Sequence, residues 1–314
     1  MDFGELRSAL HATPSKEAWQ RICEHFERLE TEQAIEQALA YALPHLENHW
    51  DSTLRTLPMA WLHALLPGPH KFHWQNPHAD VKPSPHPHVA RFAPLVAILS
   101  KGDLQPGFHY GAWSKLLDAA SFTSLKHLDL PSAYLDKSDL ETITRVINRT
   151  PTLCHINLAS TFLSYHSGQA AIRDFTKQLS PQPGQVRSLV LARNDIDSPS
   201  LIPLLKQIDL TGLTQLDLSH NKLGDVFIEY LVASSLGQRL KHLDISHNTF
   251  SPSALEALAA RGVLPNLRTL SVRGVKLSLD AQARLEESGV QVLRQDPNLA
   301  IELHVTERGG YERA

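Results

Sequence analysis

Two stretches of the chain carry one eleven-residue pattern, LTQLDLSHNKL from Leu213 to Leu223 and LKHLDISHNTF from Leu240 to Phe250. Both place apolar residues at positions 1, 4, 6 and 11 and asparagine at position 9. Leu216 and Leu218 are two apart, so an extended strand points both into a core and turns Gln215, Asp217 and Ser219 outward. Asn221 and Asn248 fall where such a strand ends, and a carboxamide carries the donor and the acceptor that a turn's unpaired backbone groups need. One unit of this kind cannot close its own core. The pattern therefore demands neighbours stacked on it and directs the chain toward a repeat architecture.

The same phase recurs as LKHLDLPSAYL from Leu125, LCHINLASTFL from Leu153, VRSLVLARNDI from Val186 and LRTLSVRGVKL from Leu267. Ala133, Thr161 and Val275 stand in for the asparagine in three of these. Successive starts lie 28, 33, 27, 27 and 27 residues apart, room for a strand, a turn and a helix of about two to three turns at ~1.5 Å per residue. Over residues 125–289 the pattern resembles the ribonuclease-inhibitor-like subclass of leucine-rich repeats. The resemblance implies an α/β fold, a right-handed curved solenoid or horseshoe of about six or seven repeats of about 27–28 residues, with a parallel sheet inside and helices outside. A worn unit is expected ahead of Leu125, because Leu116 precedes Leu125 by the same interval that separates Leu231 from Leu240. Its strand is placed in LVAILSKGD with Leu95 at position 1, which puts Ser100 at a core position.

The flanks read differently. Residues 1–66 are expected to form an all-helical N-terminal unit that caps the open end of the solenoid or binds a partner itself, capping being favoured because terminal repeats need a cover. One helix is predicted to start at Thr13 and Pro14, a second from Thr31 to Pro44, and a third from about Leu46 to Leu66 with a kink at Pro58. Residues 67–88 hold six prolines and, with His88, five histidines, and are read as a linker or long loop between that unit and a solenoid over 89–289, degenerate at 89–124. After a helix near Leu279 to Glu287, VQVLR, QDPN and LAIELHV predict a C-terminal capping hairpin and tail over 290–314.

Composition narrows the function classes. A formal charge of -3 and a pI near 6.6 provide no basic footprint, so neither nucleic acid nor an anionic membrane surface is the expected partner. Cys23 and Cys154 are too few for a disulfide framework. With no signal-like N-terminus and no apolar run of about 20 residues, a cytoplasmic protein is expected; delivery as a secreted effector would leave no mark of this kind. His70, His73, His78, His86 and His88 invite a zinc reading, but a proline-broken loop without cysteine lacks the tightly spaced ligand pairs of structural sites. No metal or cofactor is expected.

Parallel strands about 4.8 Å apart would align equivalent positions into ladders on the concave face. Position 3 then reads His127, His155, Ser188, Gln215, His242 and Thr269, and position 5 reads Asp129, Asn157, Val190, Asp217, Asp244 and Ser271. Beyond the strands come Arg273 at position 7 and Arg193, His220 and His247 at position 8. A polar face without bulky aromatics suits a folded partner protein. The expected partner-binding residues are His127, Asp129, His155, Asn157, Arg193, Gln215, Asp217, His220, His242, Asp244, His247 and Arg273, with the adjacent aspartates favouring a partner that presents basic groups. Assembling Asp, His and Ser of these ladders into a hydrolase fails on context, because a nucleophile needs an oriented base and an oxyanion hole in a closed pocket. No catalytic residues are therefore assigned, and the chain reads as a non-catalytic protein-binding module. The alternatives are a regulator or inhibitor of a bound enzyme (a toxin, nuclease or small GTPase), which the family resemblance suggests, and a metal-dependent enzyme using the His-rich loop.

Overall fold

The computed structural model describes residues 3–65, 86–100, 112–119, 122, 124–133, 135, 137–161, 168–207, 210–260 and 264–294. Eight strands form one parallel sheet in sequence order: β1 Ile98–Ser100, β2 His127–Asp129, β3 His155–Asn157, β4 Ser188–Val190, β5 Gln215–Asp217, β6 His242–Asp244, β7 Thr269–Ser271 and β8 Gln291–Leu293. The central residue of each of the first seven strands is buried, from Leu99 and Leu128 through Leu216 and Leu243 to Leu270, so one side of the sheet closes a continuous apolar core. Between strands come α5 Ala112–Ala119, α6 Lys137–Arg149, α7 Gly168–Gln178, α8 Ser198–Gln207, α9 Asp225–Ala233, the short α10 Ser235–Arg239, α11 Pro252–Leu258 and α12 Leu279–Glu287. Their buried residues, among them Leu116, Ile143, Phe175, Leu204, Phe227 and Leu255, complete that core.

Hydrogen bonds join the strands at both ends. The Arg187 carbonyl accepts from the N–H groups of Thr214 and Gln215, and the Thr214 carbonyl from those of Lys241 and His242, at 2.8–3.0 Å. Past the strand, the N–H of His220 reaches the Ser246 carbonyl at 2.9 Å and that of His247 the Arg273 carbonyl at 2.7 Å. Those N–H groups point across to the next unit because position 8 is left-handed throughout: φ lies between 53° and 57° at Ser132, Ser160, Arg193, His220 and His247, and is 65° at Gly274.

The asparagines then bind turn to turn. Asn221 Nδ2 donates to the carbonyls of Leu191 at 2.9 Å and Leu218 at 3.0 Å, while its Oδ1 accepts from the N–H groups of Asn194 and Ile196 at 3.1 and 3.0 Å. Asn248 repeats this one unit later on Leu218, Ile245 and the Leu223 N–H. Where Thr161 replaces asparagine its hydroxyl still donates to the Leu158 carbonyl at 2.7 Å, and Asn194 Oδ1 accepts the Thr161 N–H.

Several expectations need correction. β1 pairs Ile98 with His127 and Leu99 with Leu128, so Val96, not Leu95, holds position 1. Leu99 is the core residue, and Ser100 sits beside Asp129 on the opposite side of the sheet. The periodic reading had to choose a phase in the run LVAIL, where every residue is apolar.

In the N-terminal segment a first helix, α1 Gly4–His11, precedes those expected. Then α2 Lys16–Phe26 starts after Ser15, whose hydroxyl accepts the Ala18 N–H at 3.1 Å, rather than at Thr13 and Pro14. Pro44 does not end its helix: α3 Glu32–His49 runs through it, held by burial of Ala42 and Leu46 on either side. No continuous helix covers 46–66, since α3 ends at His49, a 3-10 turn spans Ser52–Leu54, and α4 is Met59–Leu65. Pro58 stands just outside α4 and offers its carbonyl to the Leu62 N–H at 3.0 Å.

The N-terminal helices reach the sheet through Arg55 and Thr56. The Arg55 carbonyl accepts from Ala97 and Ile98 at 2.9 and 3.1 Å, the pattern each strand shows its successor, and Thr56 bridges Ile98 in parallel. His70, His73 and His78 lie outside the described residues. His86 and His88 are half-buried against the N-terminal helices instead of in a free loop: His86 Nε2 lies 2.5 Å from the Leu29 carbonyl and His88 Nδ1 3.9 Å from Glu32. Of the expected hairpin, the first arm is β8, parallel to β7; the second arm lies outside the described residues.

Two substitutions test this account. Leu243→Ala empties a core position and should lower stability by about 2–5 kcal/mol, and Asn221→Ala, which strands buried N–H and C=O groups, by about 1–3 kcal/mol. Urea unfolding of both variants measures this, and unchanged midpoints would refute the repeat phase.

Candidate functional site

On the side of the sheet away from the core, positions 3 and 5 of successive strands stand in register. His127 lies beside His155, Asp129 beside Asn157, Gln215 beside His242, and Asp217 beside Asp244. All eight are half-buried or exposed. The expected residues nevertheless divide into three groups with different chemistry.

In the first group, on β2 and β3, the one carboxylate is bonded to its neighbour. Asn157 Nδ2 donates to Asp129 Oδ1 at 2.5 Å and Asn157 Oδ1 accepts the Ala159 N–H at 3.0 Å. The His127 and His155 rings lie 5.3 Å apart, and His127 Nε2 is 3.2 Å from Ser52 Oγ. Burial pushes both imidazoles below the ordinary histidine range, with the neighbouring His155 adding to the effect on His127 and nearby carboxylates opposing it. Ser52 and Asp51 come from the N-terminal helical segment, and no local sequence signal ties them to a strand 75 residues away.

The second group lies off the strands. Arg193, His220 and His247 occupy the left-handed turn position and make a short stack, with Arg193 Nη2 donating to His220 Nε2 at 3.2 Å and the two imidazoles stacked at 4.0 Å. The stack ends on Gly274, where a Cβ would come within 2.5 Å of the His247 ring.

The third group sets two carboxylates side by side. Asp217 and Asp244 each use Oδ1 to accept a backbone N–H two residues on, Ser219 and Ser246, at 2.9 Å. No lysine or arginine forms an ion pair with either among the described residues. Asp129, by contrast, has its asparagine. Burial raises the Asp217 carboxyl above its ordinary value; the Ser219 hydrogen bonds pull it down, Asp244 pushes it up, and Arg193 lowers it slightly.

Around this pair lies a shallow depression of about 300 Å³. His155, Ser188, Gln215, His242, Thr269, Ser271, Arg273 and Leu293 line it with the two aspartates, and Val190, Leu216 and Leu243 contribute to its floor. Arg273 enters from the end of β7, its N–H donating to Ser246 Oγ at 3.0 Å. Ser188, Thr269 and Ser271 were visible on the ladders but carried no charge to single them out. A second depression, of about 440 Å³, lies among the N-terminal helices between Trp19, Cys23, Glu24, Glu27 and Met59. Its polar groups answer one another: Trp19 Nε1 donates to the Thr56 carbonyl, Trp61 Nε1 to Glu27, and Gln20 to Glu24.

A family model for the leucine-rich repeat matches residues 209–226 and 238–259, the stretches that build β5, β6 and their turns. The chain carries leucine-rich repeats at these two stretches. A search of curated proteins finds no match to it. Among the described residues no helix is long and apolar enough to cross a membrane, and no group of three or more His, Cys, Asp or Glu is arranged to hold a metal ion.

The leucine-rich-repeat sheet predicts an unusual pH response. A carboxyl raised in the folded state opposes folding when ionised, so its cost is present at neutral pH and fades as pH falls through the carboxylate range. Asp217→Asn keeps the acceptor for the Ser219 N–H and removes the charge. It should raise the unfolding midpoint at pH 7, with the gain shrinking in acid; thermal melts across pH measure this, and a lowered midpoint at pH 7 would contradict it.

Proposed function

We propose that this chain is a non-catalytic protein-binding module that recognises a partner protein through the open side of its leucine-rich-repeat sheet. Leucine-rich repeats generally mediate protein–protein interaction, which is the context for the reading. The observation that carries it is the unsatisfied centre of the sheet. Asp217 and Asp244 stand side by side without an ion-pair partner, next to the Gln215 side chain, in a depression broad enough for a protruding side chain but open to water. A face that is costly when empty is suited to being covered.

The local geometry does not favour hydrolysis. Ser246 Oγ lies 2.9 Å from Ser271 Oγ and accepts the Arg273 N–H, and the hydrogen bonds of Asp217 and Asp244 run to Ser219 and Ser246 rather than to an imidazole. The strand-face residues His127, Asp129, His155, Asn157, Gln215, Asp217, His242 and Asp244 would contact the partner. Arg193, His220, His247 and Arg273 would form the border of that surface, where the turns leave the sheet. We read the solenoid as ribonuclease-inhibitor-like and right-handed, and the N-terminal helices as its cap; inhibition of a bound enzyme would use the same surface.

The test is comparative capture. The parent chain should retain a partner from its source-cell lysate. Gln215→Trp, which places an indole over the exposed centre of the sheet, should lose it, whereas Val226→Ser on the outer side of α9 should not. A partner held equally by the parent and Gln215→Trp but lost on removal of residues 1–66 would move recognition to the N-terminal helices.

A further inference from the structure

The depression over β4 to β6 holds more than a pair of carboxylates. Ser188 is 8% exposed, and its hydroxyl has no hydrogen-bond partner among the described residues although it lines the same depression. Gln215, next to Ser188 across the sheet, likewise leaves its amide unbonded. His242 has Nδ1 3.2 Å from Thr269 Oγ1, which leaves Nε2 for a ligand. Two carboxylates, a hydroxyl, a carboxamide oxygen and an imidazole nitrogen are thus gathered in one depression, and among the described residues no lysine or arginine pairs with the carboxylates. Val190, beside Asp217, supplies an apolar wall.

We propose that this depression is a socket for a single basic side chain, lysine or arginine, presented by the partner protein. The inference rests on the open-sheet reading given above and specifies the chemistry of its central contact. An ammonium or guanidinium group carries several N–H donors and the positive charge that the aspartate pair lacks, and charge-assisted hydrogen bonds to carboxylates are stronger than neutral ones. The methylene stem of either side chain packs against Val190. Arg193 is the cation that most affects Asp217, but its guanidinium is engaged with His220. Arg273 lines the far side of the depression from β7, two strands from Asp217, and pairs with neither aspartate. A cation therefore seats toward β4 and β5, and Arg273 opposes it.

Nα-acetyl-arginine amide and Nα-acetyl-lysine amide serve as probes, with the citrulline amide as a neutral analogue of the arginine probe. They are titrated into the full chain and followed by NMR at Asp217, Ser219, Asp244, Ser246 and the Gln215 side-chain amide. One or both cations should produce a saturable shift there and citrulline should not. Asp217→Asn combined with Asp244→Asn should weaken binding by at least roughly tenfold, Arg273→Gln should strengthen it, and added salt should weaken it. The double variant's spectrum away from the depression should match the parent's, which separates loss of the socket from loss of the fold. Equal shifts with citrulline, no saturable shift at these residues, or binding unchanged in the double variant would overturn the socket. The wider reading fails separately: a partner that binds Gln215→Trp as tightly as the parent excludes the open side of the sheet, whatever the small cations do.

Discussion

The asparagine ladder is the interaction on which the rest of this structure depends. A buried turn leaves peptide groups without water, and each unpaired one costs on the order of 1–3 kcal/mol. Asn221 answers carbonyls of its own unit and of the unit before, and accepts two N–H groups from the preceding turn. Its side chain is thus a hydrogen-bond clamp between neighbours as well as a cap on one strand. Asn194 and Asn248 extend the clamp in both directions. Apolar packing makes stacking favourable, but it is this directional set of bonds that fixes how far along each strand the next must lie. Register, in turn, decides which side chains become neighbours on the open side.

Position 8 shows how that constraint reaches the border of the open side of the sheet. Its left-handed backbone aims an N–H at the next unit's carbonyl, and a side chain in that conformation costs about 1–2 kcal/mol relative to glycine. Only Gly274 among the six avoids the cost. At Arg193, His220 and His247 the side chains return part of it by bonding and stacking with one another. The turns therefore carry a stack of one guanidinium and two imidazoles, beside the strand face and distinct from it. Gly274→Ala would make the same point from the other end: the added methyl meets both an unfavourable φ and the His247 ring, so it should destabilise by about 1 kcal/mol or more in denaturant unfolding.

Legibility followed the physics of each element. The strands from His127 to Ser271 could be read because alternation within them and spacing between them repeat one another, and an error of one residue would put Asp217 and Asp244 in the core. β1 lacked that protection. LVAIL is apolar in either phase, so only the pairing with β2 reveals that Ser100 faces the aspartate row. The N-terminal helices were misplaced at their ends for a related reason: Pro44 can stay in α3 once packing around it outweighs one missing hydrogen bond, and packing is not written locally. For the site, the ladders were legible and their satisfaction was not. Asp129 and Asp217 occupy the same position, yet one neighbours an amide donor and the other a second carboxylate.

That last difference is why we propose the centre of the sheet, rather than its N-terminal end, for recognition. Along position 5 the row runs Ser100, Asp129, Asn157, Val190, Asp217, Asp244, Ser271. One aspartate with an asparagine neighbour finishes a surface. Two in succession, next to an apolar wall and half withdrawn from water, oppose each other, and among the described residues their donors are two backbone N–H groups and the Ser219 hydroxyl. A basic residue on an adjacent strand would relieve them at little cost, as Lys222 in the turn after β5 does for Asp195 in the turn after β4. The adjacent strand instead carries Val190 and an unbonded Ser188. Among the described residues the repeat does not neutralise this pair, and this is why we propose that the neutralising charge comes from a partner.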